Sequence, residues 1–212
     1  TEGHLDKASP LTAIGGRGVF TSGIQVGLAE GRIDAAVHSA KDLPPREPDG
    51  LLIAAFPERD DPRDVLVSRH GLPLDDLPPA PRIGTSSRRR ALQVSLGGLD
   101  AFVVDLRGNV DTRLRKALAD DLDGIVLAAA GVLRLGLAER VADWLPLERF
   151  LPAPGQGALA VEARLADDGA RRLLARIDDP AVSLAVRAER AFLDALGAGC
   201  TTPLGAHAAP AG

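Results

Sequence analysis

Aromatic side chains make up only 3% of this sequence, and tyrosine is absent. A ligand is therefore not expected to lie between the stacked aromatic platforms common in readers of single-stranded nucleic acid. Cysteine occurs once, at Cys200, and methionine not at all. No intrachain disulfide can form, which fits a reducing compartment, so a cytoplasmic location is expected. No segment reaches the roughly 18 consecutive apolar residues of a membrane span. The longest apolar run, around Gly124–Leu133, suits a buried strand and turn, no signal peptide is visible, and no membrane partner is expected. His4, His38, His70 and His207 are scattered without metal-ligand spacing, so no metal is expected. Neither a Walker loop nor a dinucleotide fingerprint occurs.

Charge is unevenly spread. The chain of 212 residues carries −4 overall, which argues against a nucleic-acid partner. Yet segment 81–116 contains Arg82, Arg88, Arg89, Arg90, Arg107, Arg113, Arg115 and Lys116 against Asp100, Asp105 and Asp111. That window is strongly basic within an acidic protein and points to an anionic ligand.

Short apolar runs at Ile33–Val37, Leu51–Ala55, Val65–Val67, Phe102–Leu106 and Gly124–Ala128 predict strands. Amphipathic stretches at Phe20–Glu30, Arg88–Gly97, Val110–Ala119 and Pro180–Leu196 predict helices. The alternation implies an α/β fold with largely parallel sheets. Asp179 caps the last helix in this reading, with Pro180 at its first position. Two breaks, Pro57–Pro62 and Leu151–Gly157, read as crossings between domains.

Four constellations could carry chemistry. Val37–Pro44 ends a strand and offers Ser39, Lys41 and Asp42 in one turn, where open α/β sheets bind ligands. The competing reading is a surface ion pair beside a capping serine. Ile83–Arg90 runs from strand through Gly84, Thr85, Ser86 and Ser87 into a helix, a geometry that binds anions. Three adjacent arginines cannot all face one way, so at least one should meet solvent; an ordinary N-cap with a solvated arginine face competes. Leu106–Arg113 repeats the strand–turn–helix pattern with Arg107 and Arg113 flanking it, while Arg115 is placed to pair with Asp111 at i,i+4. Gly197–Gly205 sets Cys200 among small residues just past a helix, leaving room beside the sulfur, although lone cysteines are more often buried and inert.

Taken together these segments resemble the porphobilinogen deaminases (hydroxymethylbilane synthases). The matching stretches are Gly15–Phe20, Asp34–Pro44, Glu58–Asp64, Gly84–Arg90, Arg107–Arg113, Pro154–Ala158, Glu189–Phe192 and Gly199–Pro203. They come in the family's order across nearly the whole chain.

The resemblance implies two α/β domains like type II periplasmic binding proteins, joined by a hinge, plus the start of a small α+β third domain. The domains would be 1–57 with 158–175, then 63–151, then 180–212. It implies a transferase of tetrapyrrole (haem) biosynthesis, acting as a monomer on the small molecule porphobilinogen. Four porphobilinogens would join, with loss of ammonia, into the linear tetrapyrrole hydroxymethylbilane. The primer would be a dipyrromethane cofactor bound covalently to Cys200. By the same resemblance Asp42 is the catalytic carboxylate. Ser39, Lys41, Thr85, Ser87, Arg89, Arg90, Arg107 and Arg113 bind cofactor carboxylates, and Arg17, Phe20, Arg134 and Gln156 contact substrate or belong to the hinge. The family's N-terminal strand and helix, and most of its third domain, are expected to be missing. The alternative reading is a non-catalytic two-domain polyanion-binding protein, or an inactive fragment of the enzyme.

Two further expectations follow. Lys41 and the arginines should lower the Asp42 pKa. Arg89 and Arg90, as ligand-facing groups, should be replaceable by Leu with little change in thermal stability.

Overall fold

The computed structural model describes residues 22–119, 122–198 and 202–209. These fall into two compact units, the first comprising 22–59, 154–198 and 206–209, the second 60–153 and 202–205 within that set.

Among the described residues the first unit has three strands, β1 (Ala36–Ser39), β2 (Leu51–Ala55) and β8 (Leu159–Arg164), in the order β1-β8-β2. In β2, Leu51, Ile53 and Ala55 are buried while Leu52 and Ala54 are half-buried, the period-two alternation of a strand with one core face. Helix α1 (Ser22–Ala29) sets Leu28 against Ala36 and Leu51. Helix α5 (Asp168–Leu174) follows β8. Helix α6 (Pro180–Ala195) adds Val186 to a core of Ala40, Leu43, Ile53, Phe56, Ala158 and Ala160. Burying a side chain such as Val186 contributes about 1.5–3 kcal/mol. The start of α6 is fixed as the sequence predicts: the Asp179 carboxylate accepts from Ala181 N at 2.9 Å and Val182 N at 3.2 Å, and Pro180 opens the first turn.

The second unit is a five-stranded mixed sheet of order β5-β4-β6-β3-β7. Its strands are β3 (Asp64–Ser68), β4 (Arg82–Gly84), β5 (Phe102–Val104), β6 (Gly124–Ala128) and β7 (Asp143–Leu145). Both faces are covered. Val65, Val67, Ile125 and Leu127 pack with Leu106, Ala117 and Val132 from the side of α3 (Val110–Ala119) and α4 (Ala129–Arg134). Leu66 and Val126 pack oppositely, with Val94 of α2 (Arg88–Leu96), Leu145 and Phe150.

The expected largely parallel sheets are corrected. Strand β8 runs antiparallel to both β1 and β2, and β3 is antiparallel to β6 and β7. Among the described strands only β4 pairs in parallel, with β5 and β6. The reason in the first unit is insertion: β1 and β2 point the same way, but the returning β8 occupies the place between them. The apolar run after Gly124 also differs from expectation, since its second half, Ala129–Arg134, is helix.

Candidate active site

Asp42 ends a single 3-10 turn, Ala40–Asp42, that continues directly from β1. Two backbone constraints hold this turn. Ala40 N donates to Ala158 O at 3.0 Å. Gly155 sits against it at φ +74°, and a Cβ built there would lie 3.0 Å from Ala40 Cβ and 3.1 Å from Lys41 N. Only glycine takes that conformation and that approach without strain. Gly155→Ala is therefore expected to cost about 1–3 kcal/mol in urea denaturation. Gly169→Ala in α5, where a Cβ meets only Asp167 Oδ1 at 3.5 Å, should be neutral or slightly stabilising.

The electrostatics of Asp42 differ from the sequence expectation. The side chain is reached by solvent but is crowded by protein, and lost hydration raises its pKa above the ordinary aspartate value. The fields of Lys41 and His38 oppose the rise without cancelling it. Lys41 is half-buried, and the Ser39 hydroxyl makes no capping bond to the turn, so the capping-serine reading fails. His38, one residue before Ser39, is buried, with Nε2 2.9 Å from Glu162 Oε2. That contact is off the line of a hydrogen bond; both Glu162 oxygens accept instead from Gln25 Nε2, at 2.9 and 3.0 Å.

In the second unit, Ser87 caps α2 by accepting from Arg90 N, and the buried Thr85 accepts from Ser87 N at 3.2 Å. Arg88 is the arginine left to solvent. Arg89 and Arg90 turn inward onto the fully buried Asp64 at the start of β3, each with an N–O distance of 2.7 Å. Arg89 also donates to Leu151 O, and Arg90 to Val126 O at 3.3 Å. Their expected dispensability for stability is thus overturned: they are the counter-charges of a buried carboxylate, which they hold down at a pKa of about 2. The second turn places Arg107 Nε 3.1 Å from Asp105 Oδ2, and Arg113 Nε donates to Gly108 O at 2.7 Å. Arg115 pairs with Asp111 at 3.1 Å on the exposed side. Arg113 is partly desolvated and repelled by Arg90, which lowers its pKa, with Asp105 opposing. A guanidinium crowded by like charge favours an incoming carboxylate. This donor set therefore suits an anionic ligand.

Arg134 Nη2 meets Asp60 Oδ2 at 2.5 Å, and the buried Gln156 accepts at its backbone oxygen from Arg59 Nε at 3.0 Å. Arg17, Phe20 and Cys200 lie outside the described residues. Among the described residues no group of three or more His, Cys, Asp or Glu side chains could hold a metal ion, and no helix is long and apolar enough to cross a membrane.

Sequence reasoning missed the role of Glu189. Buried on α6, it takes Arg59 Nη1 and Nη2 at 2.8 and 3.1 Å, Gly155 N at 2.6 Å and Ala208 N at 2.9 Å. One carboxylate thereby gathers three chain segments of the first unit. The signal was present in the matched stretches Glu58–Asp64 and Glu189–Phe192, but nothing in them shows that Arg59 and Glu189 meet.

Comparison with known proteins decides the family. The model described as "Porphobilinogen deaminase, dipyromethane cofactor binding domain" matches residues 1–172, and that of the "Porphobilinogen deaminase, C-terminal domain" matches 183–211. The chain belongs to the porphobilinogen deaminase family. The Roseiflexus castenholzii porphobilinogen deaminase is 50% identical over 208 residues, 98% of this chain and 69% of its own. That of Syntrophus aciditrophicus is 49% identical over 98% of this chain and 68% of its own. Among solved structures, a YaeC-family lipoprotein from Enterococcus faecalis is 14% identical, covering 84% of this chain and 83% of that one at a TM-score of 0.49. Membership makes the chain a porphobilinogen deaminase-type transferase of tetrapyrrole biosynthesis, with porphobilinogen as substrate and a dipyrromethane as cofactor.

Proposed function

We propose that Asp42 is the catalytic carboxylate of this reaction, and that the basic turns of the second unit hold the carboxylates of cofactor and growing product. The observation that carries the reading is the placement of Asp42 at the end of a turn that follows β1 and is held by the Ala40 N to Ala158 O bond and by the close approach of Gly155. A preorganised anion in such surroundings stabilises positive charge developing on a pyrrole ring more strongly than a solvated one would. It can also hold a pyrrole N–H or move a proton.

Cys200 would anchor the dipyrromethane, which supplies a terminal pyrrole with a free α-carbon. Ser39, Lys41, Thr85, Ser87, Arg107 and Arg113 would bind its carboxylates, with Arg17, Phe20, Arg134 and Gln156 as further contacts. Arg89 and Arg90 act with Asp64 as a unit of net charge +1 at the start of α2, adding to the field of a helix N-terminus. The residues divide into domains 1–57 with 158–175, 63–151 and 180–212 in this reading. The protein works as a cytoplasmic monomer without nucleic acid.

Intact mass of the protein produced in cells that make porphobilinogen tests the proposal. The expected result is a covalent increment of two pyrrole units, mapped to the peptide containing Cys200. A bare mass in protein that has been supplied with porphobilinogen would remove Cys200 from this role.

A further inference from the structure

We propose that Arg190 is a positioning residue for this reaction: its buried guanidinium locks the loop that follows Asp42 onto α6, the helix that leads to Cys200. The inference rests on the roles given above to Asp42 and Cys200.

Arg190 is 6% exposed, and its Nη2 donates to Pro44 O at 2.9 Å, Pro45 O at 3.0 Å and Glu47 Oε1 at 3.3 Å. Burial without full compensation is unfavourable for a guanidinium. Desolvation lowers its pKa, and Glu47, which is partly exposed, only opposes this. What the guanidinium adds is direction, because one nitrogen, Nη2, held at a fixed place on a rigid planar group, gathers all three acceptors.

The acceptors suit that purpose. Prolines have no N–H and a fixed φ, so Pro44 and Pro45 form a stiff rod whose carbonyls need outside donors. Asp42 lies two residues before this rod, joined to it by the buried Leu43. Fixing the rod therefore fixes the carboxylate. On the far side Arg190 belongs to α6, which ends at Ala195, five residues before Cys200. The preceding residue, Glu189, holds Gly155, the glycine pressed against Ala40 and Lys41. One turn of α6 thus holds the Asp42 turn from two directions.

The test compares Arg190→Lys and Arg190→Leu in protein whose cofactor content is confirmed by mass. Amide hydrogen exchange at Lys41, Asp42, Leu43 and Arg46 should rise at least about tenfold in both. The single-turnover rate should fall about tenfold with the KM for porphobilinogen held within about threefold, the pattern of a lost transition-state arrangement. Lys keeps the charge but is shorter and lacks the nitrogen at the Nη2 position that reaches all three acceptors, so it should restore less than half of the lost rate. If exchange is unchanged, Arg190 does not hold the loop. If exchange rises while turnover per folded molecule is unchanged, the anchoring does not position Asp42. Should Arg190→Leu fail to fold, Arg190→Lys carries both readouts. Retained turnover in Asp42→Asn would remove the catalytic reading alone and leave the exchange result standing.

Discussion

Replacing Asp64 by Asn is expected to destabilise the protein by about 3–5 kcal/mol at neutral pH, because two buried guanidinium groups would lose their shared counter-charge. Asp64 is fully buried and accepts from both Arg89 and Arg90. The same pair sets an acid limb. Desolvation pushes the carboxyl up, but the two arginines outweigh it and bring it from 3.8 to about 2. A depressed carboxyl pKa stabilises the fold above the unfolded value, near 4, and that stability is lost as pH falls through about 2. A shift of this size is worth about 2 kcal/mol. Urea denaturation between pH 2 and 7 should show this slope in the parent and its flattening in Asp64→Asn. A loss below about 1 kcal/mol would mean that Arg89 and Arg90 are satisfied elsewhere.

Asp42→Asn should lower single-turnover rate by on the order of a hundredfold or more, the scale for removing a preorganised charge. Affinity for a slow substrate analogue should stay within about tenfold, since Asn keeps the shape and can accept an N–H bond. The raised pKa of Asp42 adds a second signature. The anionic form is lost at a higher pH than for an ordinary aspartate, so the rate should begin to fall early on the acid side. In Asp42→Asn that limb should vanish along with most of the rate. A rate loss under about tenfold, with the limb intact, would leave Asp42 as a partner of Lys41 and nothing more.

Local features were readable in the sequence, and features made by distant partners were not. Asp179 and Pro180 announce the start of α6 because capping involves only the next few residues. That at least one of Arg88, Arg89 and Arg90 meets solvent was readable too, though not that it is Arg88. Strand β8 was harder to see, because the buried Glu162 breaks its apolar pattern. That carboxylate is acceptable inside only because Gln25, 137 residues away, donates to it. Arg89 and Arg90 read as ligand-facing in sequence because their buried partner, Asp64, lies some 25 residues away in the chain. The Asp42 pKa was misjudged for a related reason: sequence shows neighbouring charges, whereas hydration depends on everything packed around the group.

The strand order β1-β8-β2 bears on how the chain is born. The second unit draws nearly all its residues from one continuous stretch, Asp60–Ala153, so it can fold as soon as that stretch leaves the ribosome. Strands β1 and β2 are synthesised before that stretch, yet their partner among the described strands, Leu159–Arg164, emerges only after it. At about 5–20 residues per second, the roughly 100 residues between β2 and β8 impose a wait of roughly 5–20 s. During that interval Leu51, Ile53 and Phe56, all buried in the finished protein, wait for the strand that lies beside β2. Among the described residues, a segment made before the second unit is thus secured only after it.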